Sequence, residues 1–268
     1  MRIAVLVKPV PDTASGGERL MPDGRLDRKA VPAVVNANDE YALEAALKLV
    51  EAHGGEVTLV SMAPASAPET LRKALAMGAH RGVLVTDPVL EGSDTLSTVR
   101  VLAAALKDVE YDLLLAGADT SDGGAGVVPA GIAALLGLPY LSYAAKIEPD
   151  PAAGKVRVHR ISPTGYDVLE APMPALVVAT QALGEPRYPS LKGIMAARSK
   201  TIDTKSLADV GDVGGGDGAP DGVGGAAATT AVLGAEAPPP RAATRVIREP
   251  ADEAARQVVA FLAERRII

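Results

Sequence analysis

The chain has 268 residues, of which 48% are hydrophobic and 22% are charged, a profile typical of a globular protein with a buried core. A net charge of −6 argues against a surface that binds nucleic-acid phosphates, so we expect no nucleic-acid partner. The absence of cysteine excludes disulfides, cysteine nucleophiles, thiolate metal sites and iron–sulfur clusters held by this chain. With six tyrosines, one phenylalanine and no tryptophan, few rings are offered for stacking on a flat ligand.

The beginning of the sequence predicts neither a signal peptide nor membrane insertion. The first apolar run, Ile3–Val7, is closed by Lys8 and is too short for the apolar region of a signal peptide. The longest uncharged run, 123–145, could span a bilayer by length, but Pro129 and Pro139 interrupt it. We interpret it as loop, helix and strand, and expect a cytoplasmic protein.

In the first half of the chain, short aliphatic runs alternate with amphipathic segments. The runs are nearly continuous in apolar residues, which is typical of parallel strands covered on both faces; they are residues 3–7, 57–62, 82–86 and 112–117. The segments between them carry helix signals; they begin at Asn36 or Asn38, at Pro68 and near Ser93. This spacing predicts a doubly wound, Rossmann-like α/β fold with a mainly parallel sheet of order 3-2-1-4-5.

The pattern changes after about Leu141. Four short runs predict antiparallel strands or a return into the main sheet; they are residues 143–147, 155–161, 166–169 and 175–180. Between residues 211 and 225, eight of fifteen residues are glycine, which predicts a linker, and a last amphipathic helix follows. We therefore divide the chain into an α/β domain with added antiparallel strands (1–205), a linker (206–244) and a C-terminal arm (245–268) that needs a surface to dock on.

A nucleotide crevice is expected between the first and fourth strands, because open parallel sheets bind ligands where the strand order reverses. The loops 8–13 and 117–128 would flank it. The second loop is glycine-rich and leads into a helix near Val127, so it offers backbone N–H groups to a phosphate. The alternative is a glycine-rich connection without a ligand, since the spacing matches neither G-x-G-x-x-G nor the Walker A pattern.

Catalytic machinery is not predicted. The sequence contains no G-x-S-x-G, no H-E-x-x-H and no D-x-D-x-D-G calcium loop, so we expect no catalytic residue and no metal. The histidines His53, His80 and His159 are interpreted as surface residues. Four aspartates, Asp12, Asp39, Asp119 and Asp122, are placed to approach the crevice or to cap turns.

The segment 183–200 is an exception to the otherwise ordinary loops. It is stiffened by Pro186 and Pro189 and presents Leu191, Ile194 and Met195 among basic residues. A loop that exposes such side chains beside positive charge is typical of a patch that binds an acidic partner. The alternative is that these three side chains enter the core.

Several motifs, in order along nearly the whole chain, resemble the beta subunit of electron transfer flavoproteins. The most characteristic is EPRYPSLKGIMAARSK at 185–200. The others are VLVKPVPD at 5–12, N-x-x-DEYALEAALKL at 36–49, ETLRKALAMGAHRGVLV at 69–85 and the block from Tyr111 to Pro139, followed by the C-terminal helix after a variable linker.

This resemblance implies an electron carrier that is not itself an enzyme. It implies a heterodimer whose alpha subunit holds most of the FAD, while this chain carries a structural AMP. The pair would accept electrons from flavin dehydrogenases, such as the acyl-CoA dehydrogenases of fatty acid oxidation, and pass them to a membrane quinone reductase.

The resemblance also implies site residues. The AMP contacts would be Leu6, Asn36, Ala37, Asn38, Asp39, Met62, Gly117, Asp119, Thr120, Ser121, Asp122, Gly123, Gly124, Ala125, Gly126, Val127 and Val128. Asp12 and Thr13 would lie near the FAD of the partner chain, with threonine where some relatives have tyrosine. The dehydrogenase would be recognised by Pro189, Leu191, Ile194, Met195 and Lys200, with Leu191 as the anchor.

Departures from the family pattern bear on these expectations. Gly-Gly-Ala-Gly-Val-Val replaces an Asp-Asn-Gln-Thr phosphate loop, so phosphate contacts would come mostly from the backbone. The basic run after the recognition loop is reduced to Arg198-Ser199-Lys200. Two alternatives stay open: a stand-alone adenine-nucleotide module of the stress-protein type, and a bifurcating relative with a second FAD in place of AMP.

Overall fold

The computed structural model describes residues 1–15, 19–214, 222–236, 244 and 246–268. The chain divides into two compact units, Met1–Leu233 and Gly234–Ile268. The strands, in chain order, are β1 (Arg2–Leu6), β2 (Pro9–Pro11), β3 (Ala33–Val35), β4 (Glu56–Met62), β5 (Arg81–Val85), β6 (Leu113–Gly117), β7 (Tyr140–Asp150), β8 (Lys155–Ser162), β9 (Gly165–Pro172), β10 (Ala175–Ala179) and β11 (Ile202–Lys205). The α-helices are α1 (Ala37–His53), α2 (Pro68–Met77), α3 (Thr95–Leu106), α4 (Val128–Leu136), α5 (Leu191–Ala197) and α6 (Ala251–Glu264).

The main sheet confirms the predicted doubly wound α/β class. Its order is β11-β5-β4-β1-β6-β10-β7-β8-β9, so the first four predicted strands occur in the order 3-2-1-4. The place next to β6 is taken by β10 and not by the next strand along the chain. The edge strand β11, which the sequence did not predict, pairs in parallel with β5.

Helices cover both faces of the parallel strands. In β1, Ile3 and Val5 pack with residues of α1 and α2, whereas Ala4 and Leu6 pack with residues of α3 and α4. The buried residues of β1 are all aliphatic, which explains why this run reads as continuously apolar. Among the described residues, no buried core residue is aromatic, although the partly buried Tyr111 packs against the core.

The helix ends follow local signals in the sequence. Helix α2 begins with a proline in its first turn, and Gly78 follows its last residue with a φ of 142°. Asp94 precedes α3, and its side chain accepts a hydrogen bond from the N–H of Ser97 at 2.9 Å. Such caps satisfy backbone groups that the helix itself leaves unpaired.

Strand β7 realises both of the arrangements proposed for the second half. It pairs in parallel with β10 and antiparallel with β8, which in turn pairs antiparallel with β9. In β8, Val156 and Val158 are buried, whereas the adjacent Lys155 and Arg157 are exposed. The alternation of KVRVHRI thus reflects a sheet with one covered face.

Described parts of the predicted linker contact the first unit. Val210 and Val223 are buried in a cluster with Val85 and Leu90. The carboxylate of Asp94 also accepts hydrogen bonds from Thr229, at 2.7 Å from its backbone nitrogen. The first unit thus extends to Leu233, beyond the boundary predicted at residue 205. Residues 215–221, 237–243 and 245 of the predicted linker and arm lie outside the described residues.

The second unit contains α6. Its apolar residues Val258, Val259 and Phe261 are exposed, and the Arg265 guanidinium lies 4.4 Å from the centre of the Phe261 ring. Within the described residues, no helix is long and apolar enough to cross a membrane.

Candidate functional site

The predicted crevice lies at the carboxyl ends of neighbouring strands. Because β1 pairs with β4 on one side and β6 on the other, Leu6, Met62 and Gly117 end three adjacent strands. Helix α1, which starts at Ala37, and helix α4, which starts at Val128, begin beside the same edge. The fold therefore brings together strand ends and helix starts that are far apart in the sequence.

Gly117 lets α1 approach the end of β6 closely. A Cβ atom on Gly117 would lie 2.5 Å from Asp39 Oδ1 and 2.7 Å from the carbonyl carbon of Asn38. Asp39 is buried, and its Oδ2 accepts a hydrogen bond from the N–H of Lys8 at 2.8 Å. Burial raises the pKa of Asp39 to about 7, although hydrogen bonds from Lys8 and Asn36 act in the opposite direction.

Two asparagines attach the glycine-rich loop to α1. The side-chain amides of Asn36 and Asn38 both donate to the carbonyl oxygen of Asp119, at 2.8 and 2.9 Å. Asn36 Oδ1 accepts from the N–H of Ser121 at 3.3 Å. Asn36 also precedes the first residue of α1, so one buried side chain joins the helix start to the loop.

The loop from Asp119 to Val127 is folded around the Asp119 carboxylate. Its Oδ1 accepts from the N–H of Thr120 at 2.7 Å and from the N–H of Gly126 at 3.0 Å. Gly124 and Gly126 have φ angles of 56° and 62°, which favour glycine. The loop is therefore shaped by residues that are themselves mostly exposed.

Some backbone N–H groups of this loop have no partner within the described part of the chain. They belong to Ala125, Val127 and Val128, next to the start of α4. Unpaired N–H groups at a helix start favour an anion, since the helix dipole adds to the hydrogen bonds. The residues present thus fit a phosphate that is held by backbone groups, as expected from the substituted loop.

Asp122 lies in an ion-pair cluster at the side of this loop. Its carboxylate is fully buried and contacts Lys8 Nζ at 2.9 Å and a guanidinium nitrogen of Arg28 at 2.6 Å. Burial opposes ionisation, but hydrogen bonds and charge attraction from Lys8 and Arg28 prevail and hold the pKa of Asp122 at about 2. Two cationic side chains thus share one carboxylate, which leaves a net positive charge beside the loop.

Asp12 and Thr13 lie after β2, outside the network just described. Asp12 accepts from the N–H of Ala14 and the hydroxyl of Ser15, at 2.9 and 2.6 Å. The hydrogen bond from Ser15 lowers the pKa of Asp12. Within the described residues, neither Asp12 nor Thr13 is hydrogen-bonded to the glycine-rich loop.

The second candidate site is the segment 183–200, which contains a helix where the sequence analysis expected a loop. Ser190 caps α5 by accepting from the N–H of Gly193 at 3.0 Å. Leu191 is 77% exposed, Met195 55% and Ile194 45%. The alternative that these side chains enter the core is therefore wrong, and the helix presents them to solvent.

The remaining predicted recognition residues differ in exposure. Pro189 is partly buried just before α5. The Lys200 ammonium donates to the carbonyl oxygen of Leu75 at 3.0 Å, near the end of α2, and burial lowers the pKa of Lys200. The structure thus gives Lys200 a contact within this chain in addition to any contact with a partner.

Sequence reasoning missed residues that act over long chain separations. Lys8 ends the first predicted run, and its position before the crevice was a usable signal. Arg28, Glu44 and Arg187 gave none, because ordinary surface helices and loops carry such residues everywhere. Their partners are 94, 143 and 136–143 residues away along the chain.

Comparisons with known proteins agree on one family. The electron transfer flavoprotein domain model matches residues 23–210. The chain is 38% identical to the electron transfer flavoprotein subunit beta of Mycobacterium tuberculosis strain H37Rv over 274 residues, covering 99% of each chain. It is 40% identical to the subunit beta of Mycobacterium leprae over 275 residues, again with 99% of each covered.

A further relative carries a different name. The chain is 36% identical over 272 residues to the Caffeyl-CoA reductase-Etf complex subunit CarD of Acetobacterium woodii, with all of both chains covered. The glycine-rich loop at the switch of strand order, the presented α5 and the matches over the whole chain point the same way. The chain belongs to the beta-subunit family of electron transfer flavoproteins.

Proposed function

We propose that this chain is the beta subunit of a heterodimeric electron carrier, with an alpha subunit as its constant partner. The pair accepts electrons from flavin dehydrogenases, the acyl-CoA dehydrogenases of fatty acid oxidation included, and delivers them to a quinone reductase. The observation that carries the proposal is the presented segment at 185–200, which matches the family signature and exposes Leu191, Ile194 and Met195. A stand-alone nucleotide module has no use for such a segment.

The crevice beside Gly117 is proposed to hold one AMP with a structural role. The unpaired N–H groups of Ala125, Val127 and Val128 suit its phosphate, and the strand ends at Leu6 and Met62 would border the nucleoside. Lys8 and Arg28 share the single carboxylate of Asp122, so their net positive charge would add to the attraction of the backbone N–H groups for the phosphate.

The flavin is proposed to belong mainly to the alpha subunit. FAD, when bound, supplies the electron-transfer chemistry, whereas this chain contributes Asp12 and Thr13 near it and no catalytic group. Few aromatic rings are available for stacking on a flavin from this side. The exposed apolar side chains of α6 are proposed to dock on the partner subunit. A cytoplasmic location belongs to the same proposal and agrees with the absence of cysteine.

Co-expression with the alpha subunit tests the proposal. The purified pair should be yellow, and mass spectrometry of the released ligands should find one FAD and one AMP per heterodimer. The beta chain alone should be nearly colourless. An isolated beta chain that bound FAD tightly and transferred electrons unaided would contradict the proposal.

A second candidate is a bifurcating relative that holds a second FAD where AMP is proposed. The full-length similarity to CarD, a subunit of a Caffeyl-CoA reductase-Etf complex, is the observation that favours it. The same mass spectrometry separates the two: two FAD molecules and no AMP per heterodimer would select the bifurcating candidate.

A further inference from the structure

The segment 185–200, which carries the exposed side chains of α5, is attached to α1 through Arg187. Arg187 lies three residues before the α5 cap, and its Nε and backbone N–H both donate to Glu44 Oε2, at 2.7 and 3.1 Å. A guanidinium nitrogen reaches Glu44 Oε1 at 3.2 Å. Glu44 is only 4% exposed, and its carboxylate is neutralised by Arg187 together with Lys48, whose Nζ lies 3.6 Å from Glu44 Oε1.

The same guanidinium binds a second carboxylate. Arg187 also donates to both carboxylate oxygens of Glu51, one of them at 3.0 Å. Glu44 and Glu51 are seven residues apart, which places them two turns apart on one face of α1. A planar guanidinium with five N–H groups can span both, whereas a lysine ammonium is a compact charge that cannot.

The far end of the segment is fastened to α2. A guanidinium nitrogen of Arg72 donates to the carbonyl oxygens of Ala197 and Lys200, at 2.7 and 3.2 Å. Gly193 packs directly on α2, since a Cβ there would lie 2.3 Å from Ala76 O. Strand β11 then joins the sheet beside β5. The segment is therefore held before, within and after α5.

Exposed apolar side chains are the feature that this arrangement holds in place. Leu191, Ile194 and Met195 project from a helix of only seven residues, too short to be stable in isolation. Their relative positions must come from the fastening points. A surface that is ordered before binding loses less conformational entropy when a partner arrives.

From this geometry we infer that Arg187 is a positioning residue for capture of the dehydrogenase: by joining Glu44 to Glu51 it holds Leu191 where the dehydrogenase pocket receives it. The inference rests on the proposed function. It assigns to Arg187 an effect on partner capture and none on the electron-transfer step or on the nucleotide.

The test uses the complete heterodimer with Arg187→Ala, Leu191→Ala and the double variant, assayed as electron acceptors of an acyl-CoA dehydrogenase. We expect each single variant to raise the KM for the carrier about tenfold with kcat unchanged. The double variant should be no worse than Leu191→Ala alone, because Arg187 acts through the position of Leu191. Effects that multiply to about a hundredfold would overturn the inference.

Hydrogen exchange gives a second readout that does not depend on the dehydrogenase. Amides 191–200 should exchange about tenfold faster in Arg187→Ala than in the unchanged heterodimer. Arg187→Lys keeps a positive charge beside Glu44, so this variant serves if Arg187→Ala does not fold. Its exchange rate at these amides should lie between those of Arg187→Ala and of the unchanged heterodimer. Arg160→Ala removes an arginine that pairs with the exposed Asp167 on the β8–β9 hairpin, and it should leave the exchange of these amides unchanged.

The outcomes separate the inference from the proposed function. Unchanged exchange at 191–200 in Arg187→Ala would overturn the inference, even with a raised KM. Faster exchange with an unchanged KM would overturn it too, provided that Leu191→Ala raises the KM. If Leu191→Ala itself leaves the KM unchanged, the proposed recognition of a dehydrogenase fails, and the inference that rests on it fails with it.

Discussion

The glycine-rich loop after β6 and the segment that carries α5 are both exposed, but they expose different chemistry. The loop offers the N–H groups of Ala125, Val127 and Val128 and few side chains. The segment offers the side chains of Leu191 and Met195 on a helix whose start is capped by Ser190. A small anion is bound well by backbone donors, whereas a protein pocket is filled by apolar side chains. The difference supports the proposal that the loop binds a small ligand and that the segment binds a macromolecule.

Each region depends on a glycine at a close backbone approach. Gly117→Ala should disrupt the glycine-rich loop and leave the segment that carries α5 intact. The added Cβ would lie closer than van der Waals distance to Asp39 and Asn38. We expect a loss of about 3 kcal/mol in the free energy of unfolding and loss of bound nucleotide. Urea denaturation and the AMP content of the purified heterodimer measure both.

Gly82→Ala is the matched control for this strand glycine. Its Cβ would lie 3.6 Å from the Ile202 side chain, an ordinary contact. The control should stay within about 0.5 kcal/mol of the unchanged chain. If the Gly117→Ala protein is as stable as the control and retains one AMP per heterodimer, Gly117 is not needed for the nucleotide site.

The stability of the protein should depend on pH through Asp39, which is buried beside Gly117. Burial raises the pKa of Asp39 to about 7, above the value of about 3.9 for an unfolded chain. A raised pKa means that the folded state holds the proton more tightly, so this stabilisation is complete below about pH 4 and is lost as the pH rises through 7. Asp39→Asn has no proton to lose at this position, so its free energy of unfolding should not fall in this way as the pH rises.

Between pH 5 and 7, the variant should therefore gain roughly 1 kcal/mol per pH unit on the unchanged chain, about 2 kcal/mol in total. Urea denaturation at a series of pH values measures the difference. A constant difference between Asp39→Asn and the unchanged chain would show that Asp39 is ionised throughout this range.

Gly193→Ala should disrupt the segment that carries α5 and leave the glycine-rich loop intact. The added Cβ would lie 2.3 Å from Ala76 O, so α5 must move away from α2. We expect a loss of about 1 to 2 kcal/mol, faster hydrogen exchange at 191–200 and unchanged AMP content. Loss of AMP in this variant would mean that the two regions are coupled.

The parts of the fold that follow local rules were predictable from the sequence. Buried strands read as aliphatic runs, and Pro68 and Gly78 mark the ends of α2. Strand β11 was missed because IDTK is short and polar, and it becomes a strand only through the free edge of β5. Helix α5 was missed because seven residues, with Gly193 among them, carry little helical periodicity.

The site was predictable in its location but not in its internal contacts. The switch in strand order pointed to the loop 117–128 from topology alone. The ion pairs of Asp122 with Lys8 and Arg28, and of Glu44 with Arg187, join residues about 90 to 145 positions apart. No local pattern records such pairs, because they arise only when the chain is packed. The contacts of residues 222–230 with Asp94 and the α3 face were missed for the same reason.

The most direct test of the separation between the two sites is Leu191→Ala in the heterodimer, with Leu96→Ala as an exposed leucine control. The folding free energy of each variant should stay within about 0.5 kcal/mol of the unchanged protein. We predict that Leu191→Ala raises the KM for dehydrogenase-dependent reduction about tenfold while one AMP per heterodimer is retained, and that Leu96→Ala changes neither. An unchanged KM for Leu191→Ala, or a loss of AMP from that variant, would contradict the separation of the two sites.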